Sequence, residues 1–343
     1  MRAFVVHEPG DAGVEEVESP VPGPGEVVVD VERVGICGTD VEFFTGEMAY
    51  LNQGHAAFPL RLGHEWVGRV GLLGPGVDPG WMGKRVTADT MLGCGSCERC
   101  LRDRRHLCAR RSEIGIRGGW PGALADQLPV PASALHDIPE SMTAAAAALV
   151  EPGANAVRVV EATPVAGKRA LIFGSGTIGL LVALFARAGG AEVHLAGIDE
   201  PTVRLARSLG IEHAGLVADL EAVPFEVVVD ATNDPGVPSL ALRWVEPGGW
   251  VVLIGLSGES SLIDSRDVVL GDVTVVGVLS GSGGIPRAIE AYATDEVVPD
   301  LLVSEVVSLD EVASRLAGES GPDAGPGPKV QVDPSLPSIL AQG

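Results

Sequence analysis

Arg169-Ala170-Leu171-Ile172-Phe173-Gly174-Ser175-Gly176-Thr177-Ile178-Gly179 is the stretch on which the fold turns. A short apolar run reads as a buried strand. It passes into G-x-G-x-x-G, and the apolar series from Leu180 to Ala188 then continues with helical spacing. A strand, a tight glycine turn and a helix in immediate succession begin a parallel βαβ unit. Gly174 permits the turn, Gly176 lets backbone come close to a ligand, and Gly179 lets the helix pack closely on the strand. Free N–H groups and the positive end of the helix dipole favour an anion at this turn, and the pyrophosphate of a dinucleotide is the ligand such a turn holds. Gly174, Ser175, Gly176, Thr177, Ile178 and Gly179 are therefore expected to contact a nucleotide cofactor.

Toward the C-terminus the same alternation continues. Strands are expected at Glu192 to Ala196, Glu226 to Asp230, Trp250 to Gly255 and Thr274 to Val278, with helices around Val203 to Leu209 and Leu240 to Val245. That is the pattern of a doubly wound parallel sheet. Ala231-Thr232, Gly255-Leu256 and Leu279-Ser280 end strands at its carboxyl edge, which borders the nucleotide crevice in such sheets. Toward the N-terminus, Ala144 to Ala162 reads as an Ala-rich helix. Before it, β-branched segments such as Glu26 to Val34 and Trp66 to Leu73 lie between Gly- and Pro-rich turns. Gly318 to Pro328 reads as a turn-rich loop, and Lys329 to Val332 as a last strand docking back. The expected organisation is a β-rich domain of residues 1–155 and 291–343, with an α/β domain of residues 156–290 inserted into it.

Composition narrows the function. The 343 residues are 46% hydrophobic and 20% charged, with a mean hydropathy of +0.27, so material for buried cores is ample. A net charge of −22 argues against a nucleic-acid surface, which needs Lys and Arg to displace counterions, and against a polybasic membrane contact. No apolar run approaches the roughly 18 residues of a membrane span, and no secretory apolar stretch opens the chain. A soluble cytoplasmic protein is the expectation.

Four of the five cysteines fall in Cys94-Gly95-Ser96-Cys97-Glu98-Arg99-Cys100-Leu101-Arg102-Asp103-Arg104-Arg105-His106-Leu107-Cys108. In a reducing compartment, C-x2-C-x2-C-x7-C reads as a tetrahedral thiolate set for a structural zinc that pins an irregular loop. Free thiols and an iron–sulfur cluster are the alternatives, although the spacing is not that of common ferredoxins. With four thiolates filling the shell, His106 is expected at the surface. The fifth cysteine stands in Gly35-Ile36-Cys37-Gly38-Thr39-Asp40. Gly63-His64-Glu65 and Glu151-Pro152 follow it along the chain. Cys37, His64 and a carboxylate would give three ligands and one open position, the arrangement of a catalytic zinc.

In these motifs and their order the chain resembles the zinc-dependent medium-chain alcohol and polyol dehydrogenases. The match is to the sorbitol, threonine and glucose dehydrogenase branch, in which Glu-Pro stands where other members have cysteine. The resemblance implies a GroES-like β-rich catalytic domain plus a Rossmann domain, one catalytic and one structural Zn2+, NAD or NADP, and a small-molecule alcohol or carbonyl substrate. It implies Cys37 and His64 as catalytic zinc ligands, with Glu65 and Glu151 as carboxylates that ligate directly or through water. Thr39 would take the substrate proton, and Asp40 would hold a ligand or the local backbone in place. Where many relatives have a histidine five residues after the catalytic cysteine, this chain has Glu42, either the outer end of a proton relay or a surface carboxylate. Phe43, Tyr50, His55, Trp66 and Trp120 are candidates to line the substrate cleft, expected between the two domains, each with plain core or surface as the equal alternative. Relatives form homodimers or homotetramers, with Thr274 to Val278 the expected contact.

Cofactor choice rests on the end of the second strand. Aligned back from Ser208-Leu209-Gly210, the discriminating position is Gly197; counted forward from Gly179, it is Asp199. Glycine removes the repulsion that excludes a 2′-phosphate, but Asp199 and Glu200 would repel one, and Arg204 is the nearest cation. NAD is favoured over NADP. The expected activity is hydride transfer between a secondary alcohol of polyol, sugar or cyclitol type and NAD(P), giving a ketone or lactone. A biosynthetic carbonyl reductase using the same site in reverse, and a zinc- and nucleotide-binding protein without turnover, are the competing readings. The intact metal-type residues speak against the latter and against a zinc-free quinone reductase.

Overall fold

The computed structural model describes residues 1–220 and 223–337. The chain divides into two compact units. One contains residues 1–151, 298–325 and the described residues from Lys329 onward; the other contains residues 152–297 with 326–328. The divisions therefore fall at 151/152 and 297/298 rather than at the expected 155/156 and 290/291. Packing explains both shifts. Glu151 opens the helix Val150–Glu161, whose Gly153 lies so close to Tyr292 that a Cβ there would sit 2.1 Å from its hydroxyl. The helix Ile285–Ala293 buries Ile285, Ala288, Ala291 and Tyr292 and belongs wholly to the second unit.

The second unit carries six parallel strands. In chain order they are Arg169–Phe173, Glu192–Gly197, His213–Leu216, Phe225–Asp230, Val245–Leu253 and Thr274–Gly277. Across the sheet they run third, second, first, fourth, fifth, sixth. Chain order reverses between the strands Arg169–Phe173 and Phe225–Asp230, and ligands bind outside the carboxyl ends at such a switch point. The helix Thr177–Ala188 follows the glycine turn and is buried from Gly179 to Ala186, which is why its sequence is apolar on every face. The strand His213–Leu216 and the single-turn piece after it were not expected. The strand is short and half polar, and it exists because it pairs with Glu192–Gly197.

The first unit is built on the strand Glu26–Gly35, whose valine-rich sequence suits a pleated, buried surface. It pairs antiparallel with Glu65–Leu73, with Gln127–Pro131 and, near its end, with the returning strand Lys329–Val332. That last strand was expected with the same bounds, and it also runs parallel to Val303–Val307. Phe4, Val34, Phe43, Leu62, Trp66, Leu124 and Leu128 are fully buried in one core. Phe43 and Trp66 are thus packing residues and not cleft lining. Among the described residues no helix is long and apolar enough to cross a membrane.

The Gly153–Tyr292 approach gives a test of the second unit's packing. Gly153→Ala should destabilise it by about 1–3 kcal/mol, the usual cost of overpacking, read as a lower denaturant midpoint. Tyr292→Phe removes the hydroxyl that the new methyl meets and should recover part of the loss. A Gly153→Ala protein of unchanged stability would contradict the packing.

Candidate active site and cofactor turn

Cys37 precedes the helix Gly38–Thr45, at its N-cap. Asp40, in the first turn of that helix, is fully buried. Its carboxylate accepts hydrogen bonds from the backbone N–H of Cys37 at 2.8 Å and of Gly63 at 3.1 Å. One oxygen lies 3.7 Å from Nδ1 of His64. A single buried carboxylate thus fixes two chain segments remote in sequence and faces the ring between them. Burial raises the pKa of Asp40, against the opposing pull of His64 and the two backbone donors.

Cys37, His64 and Glu65 bring their ligand atoms within 4.8 Å of one another. Glu151 lies outside that tight group but is buried, and its charge acts on His64. Burial alone would disfavour a charge on His64. Asp40, Cys37 and Glu151 outweigh it and hold the imidazole well above its ordinary pKa. The surroundings therefore call for a cation. A sulfur, an imidazole and carboxylates packed this way are a donor set that fits Zn2+. His64 Nδ1 is buried without a hydrogen bond, an orphan that the ordering of a ligating ring toward Asp40 would settle.

Lys329 is the functional neighbour that sequence reading missed. Its Nζ donates to both oxygens of Glu65, at 2.9 and 2.7 Å, and to the carbonyl of Ile36 at 2.8 Å. Both side chains are almost completely buried. Burial lowers the Lys329 pKa, but Glu65 leads the charges that reverse this and raise it. Gly35 makes room for the pair, since a Cβ there would lie 2.2 Å from Glu65 Oε2. No local pattern announces Lys329, because its partner is 264 residues away. Thr39 and Glu42 sit on the helix after Cys37, both partly exposed. Burial, then Glu47, raises the Glu42 pKa. Tyr50 and His55 pack edge to face at 5.5 Å, and Trp120 donates from Nε1 to the Pro129 carbonyl.

The four-cysteine loop closes on itself. Sγ–Sγ distances are 3.5 Å for Cys97–Cys100, 3.8 Å for Cys97–Cys108 and 4.0 Å for Cys94–Cys100. A tetrahedron with Zn–S bonds of about 2.3 Å has edges of about 3.8 Å, so the set fits the ion. Backbone and side-chain donors of Ser96 pull the Cys94 thiol down to about 5, and backbone donation at Cys100 lowers Cys97. Burial first, then its neighbouring thiols, pushes Cys100 up to about 11. His106 is buried rather than at the surface, on the short turn Arg105–Leu107 that brings Cys108 back.

In the second unit, Gly174 has φ +104°, a conformation that favours glycine. At Gly179 a Cβ would meet the Gly174 carbonyl oxygen at 1.9 Å, so the helix can lie against the turn only with glycine there. Gly176 has open space, the cradle a pyrophosphate needs. Ser175 is turned inward and shares a 2.6 Å hydrogen bond with Thr202. Gly197 is glycine for packing, since a Cβ would lie 2.6 Å from Ser175 Oγ and 2.9 Å from Val203. Asp199 caps the helix Glu200–Ser208, accepting from the Thr202 N–H at 2.9 Å and its hydroxyl at 2.7 Å. Arg204 lies 3.7 Å from Glu200. Thr232 donates twice to Asp230 Oδ1. Leu256 and Leu279 are exposed at strand ends. Ser280 holds φ +73°, and Arg158, unforeseen in the sequence, donates to its carbonyl and to that of Leu279.

Comparison with known proteins identifies the family and the fold. Residues 23–140 match the family model for the alcohol dehydrogenase GroES-like domain, and residues 177–295 that for zinc-binding dehydrogenases. An L-threonine 3-dehydrogenase of Thermococcus kodakarensis is 32% identical, over 92% of this chain and 90% of its own. One from Saccharopolyspora erythraea is 33% identical, over 81% and 83%. A Sinorhizobium meliloti protein described as a zinc-binding dehydrogenase, solved bound to NADP, superposes with TM-score 0.85 at 30% identity, covering 97% and 99% of the two chains. With a GroES-like unit, a Rossmann unit and both sets of metal-type residues, the chain belongs to the zinc-dependent medium-chain alcohol dehydrogenases, NAD(P)-linked oxidoreductases acting on alcohols.

Proposed function

We propose that this enzyme oxidises a secondary alcohol of polyol, sugar or cyclitol type with NAD, at a centre formed by Cys37, His64 and a glutamate. The observation that carries the reading is the donor set of Cys37, His64 and Glu65, whose ligand atoms lie within 4.8 Å of one another, with His64 and Glu65 buried. Zinc held there supplies a Lewis acid for the substrate oxygen, and the nicotinamide supplies the hydride acceptor. Thr39 accepts the substrate's hydroxyl proton, and Glu42, with its raised pKa, receives it at the outer end of the path. Asp40 keeps Cys37 and His64 in register. Glu65 accepts from Lys329 with both oxygens yet stands in the group of ligand atoms, and either it or the buried Glu151 would complete the shell, with exchange between the two. The cysteine loop holds a second, structural zinc.

Zinc content and rate test these roles together. The purified protein should carry two zinc ions per chain. Cys37→Ser should keep its fold and one zinc, and lose about a thousandfold in rate, the several kcal/mol a Lewis acid supplies. Cys97→Ser should lose the other ion and unfold at lower temperature. Loss of the catalytic ion from Glu151→Gln on dialysis would assign the resting role to Glu151, and retention would assign it to Glu65. Full activity in Cys37→Ser would overturn the mechanism.

The preference for NAD is supported by the charges near the adenosine end. Asp199 and Glu200 are acidic, and Arg204 is already beside Glu200. A panel of polyols, sugars, cyclitols and hydroxy amino acids, the last prompted by the threonine-named relatives, should reveal the substrate. With the best of them, kcat/KM should favour NAD over NADP by about tenfold or more, roughly 1.4 kcal/mol; the reverse ratio would refute the assignment.

A homodimer or homotetramer is supported by the sheet's open edge. Among the described residues the strand Thr274–Gly277 pairs on one side only, and Leu262, Val269, Leu270 and Val275 are exposed near it in sequence. An unpaired strand edge with apolar neighbours is a surface for a second chain. Light scattering should give two or four chain masses, and Val275→Lys should shift the protein toward monomer; a monomeric wild type would exclude the assembly.

A further inference from the structure

We propose that Glu192, His194 and His213 form a further divalent-cation site at the amino edge of the parallel sheet, one that takes a borderline metal such as Zn2+ and fastens the sheet's edge strand. His194 and His213 are register partners on the neighbouring parallel strands Glu192–Gly197 and His213–Leu216. Residues so paired project from the same face, and Glu192, two positions before His194, projects with them. The three ligand atoms lie within 4.8 Å of one another. Glu192 Oε1 is 3.0 Å from His194 Nε2, and the two rings stack with centroids 4.5 Å apart and planes 10° from parallel.

The three side chains differ in freedom, as a preformed but open site requires. His194 is backed by Phe225, edge-on at 4.9 Å, and keeps 19% exposure. His213 and Glu192 are exposed. Stacked imidazoles send their in-plane lone pairs along parallel lines. Binding therefore needs one ring to turn about its Cβ–Cγ bond, and the exposed His213 is the one free to do so. The metal replaces the Glu192–His194 hydrogen bond, and the proton shared there goes to solvent.

Two imidazoles and one carboxylate select Zn2+, Ni2+ or Cu2+ over Mg2+ or Ca2+, with a fourth position left to water. Arg169 is in register with Glu192 on the other neighbouring strand, and its charge moderates affinity for a cation. The site is separate from the nucleotide turn. From Glu192 to Gly197 the strand climbs about 16 Å toward the carboxyl edge. It is separate also from the Cys37 centre and the cysteine loop, which belong to the other unit. Its mechanical effect is local: among the described residues the four-residue strand His213–Leu216 pairs with one neighbour only, and a metal across its first residue cross-links that pair.

The experiment compares the zinc-loaded holoenzyme with His213→Ala and Glu192→Gln, both exposed positions whose replacement leaves the core intact. Equilibrium dialysis against micromolar Zn2+ should give one more equivalent for the wild type than for His213→Ala, whatever number the other sites hold. Calorimetric titration should show at least tenfold weaker binding of that equivalent in either variant, with alcohol oxidation unchanged. Untagged wild type should be retained on immobilised Ni2+ and His213→Ala should pass through. Equal zinc content and equal retention in wild type and His213→Ala would overturn the proposal and leave the cluster a hydrogen-bonded, stacked trio.

Discussion

The buried ion pair between Lys329 and Glu65 is the constraint on which the catalytic unit depends. It joins the last strand of the chain to the motif beside His64, and through the Ile36 carbonyl to the segment entering Cys37. Two charges at 3% and 2% exposure are expensive to desolvate, and removal of either partner from such a pair costs about 3–5 kcal/mol. The whole second unit lies between these partners in sequence. The ion pair therefore closes a separation of 264 residues along the chain. Gly35 is the sequence's concession to it, since any side chain there would occupy the space of the Glu65 carboxylate.

Asp40 acts on the same centre from the other side. It is anchored by two backbone donors and so cannot drift toward an ion. What it supplies is negative charge and position: it draws His64 into place and adds to the potential that Cys37 and Glu151 create. Lys329 does the opposite for Glu65, neutralising one carboxylate and holding it back. The centre is thus poised between an anchored acid and a restrained one.

Local chemistry was legible in the sequence; long-range chemistry was not. The four cysteines lie within fifteen residues, so their spacing alone indicated the tetrahedron that the sulfur distances now fit. The glycine turn was legible for the same reason, as were the strands Arg169–Phe173 and Lys329–Val332. Lys329 and Arg158 escaped because their partners are separated from them by more than a hundred residues. Gly197 and Asp199 were read for their effect on a ribose phosphate. Their first duties are steric and capping, because Ser175 and Thr202 occupy the space beside them. For Phe43 and Trp66 the sequence left cleft and core both open, and their helix and strand turn them into the core. Proximity in sequence to a ligand says nothing about which face a neighbour takes.

The two cysteine-bearing centres differ in how they answer to the rest of the fold. The loop from Cys94 to Cys108 contains all four cysteines, and the thiolates of Cys94 and Cys97 are favoured by N–H groups of the same loop, so its geometry is a local property. The Cys37 centre draws on the end of one strand, the start of another and the opening of a helix, and its order comes from Asp40 and Lys329. A site assembled this way is sensitive to substitutions far from any ligand, such as those that shift the returning strand by one residue. Its charge would change with them: a one-residue slip turns Lys329 to the opposite face and leaves Glu65 an unpaired buried anion beside a cation-seeking histidine. The register of a terminal strand thus sets the electrostatics of the reactive centre.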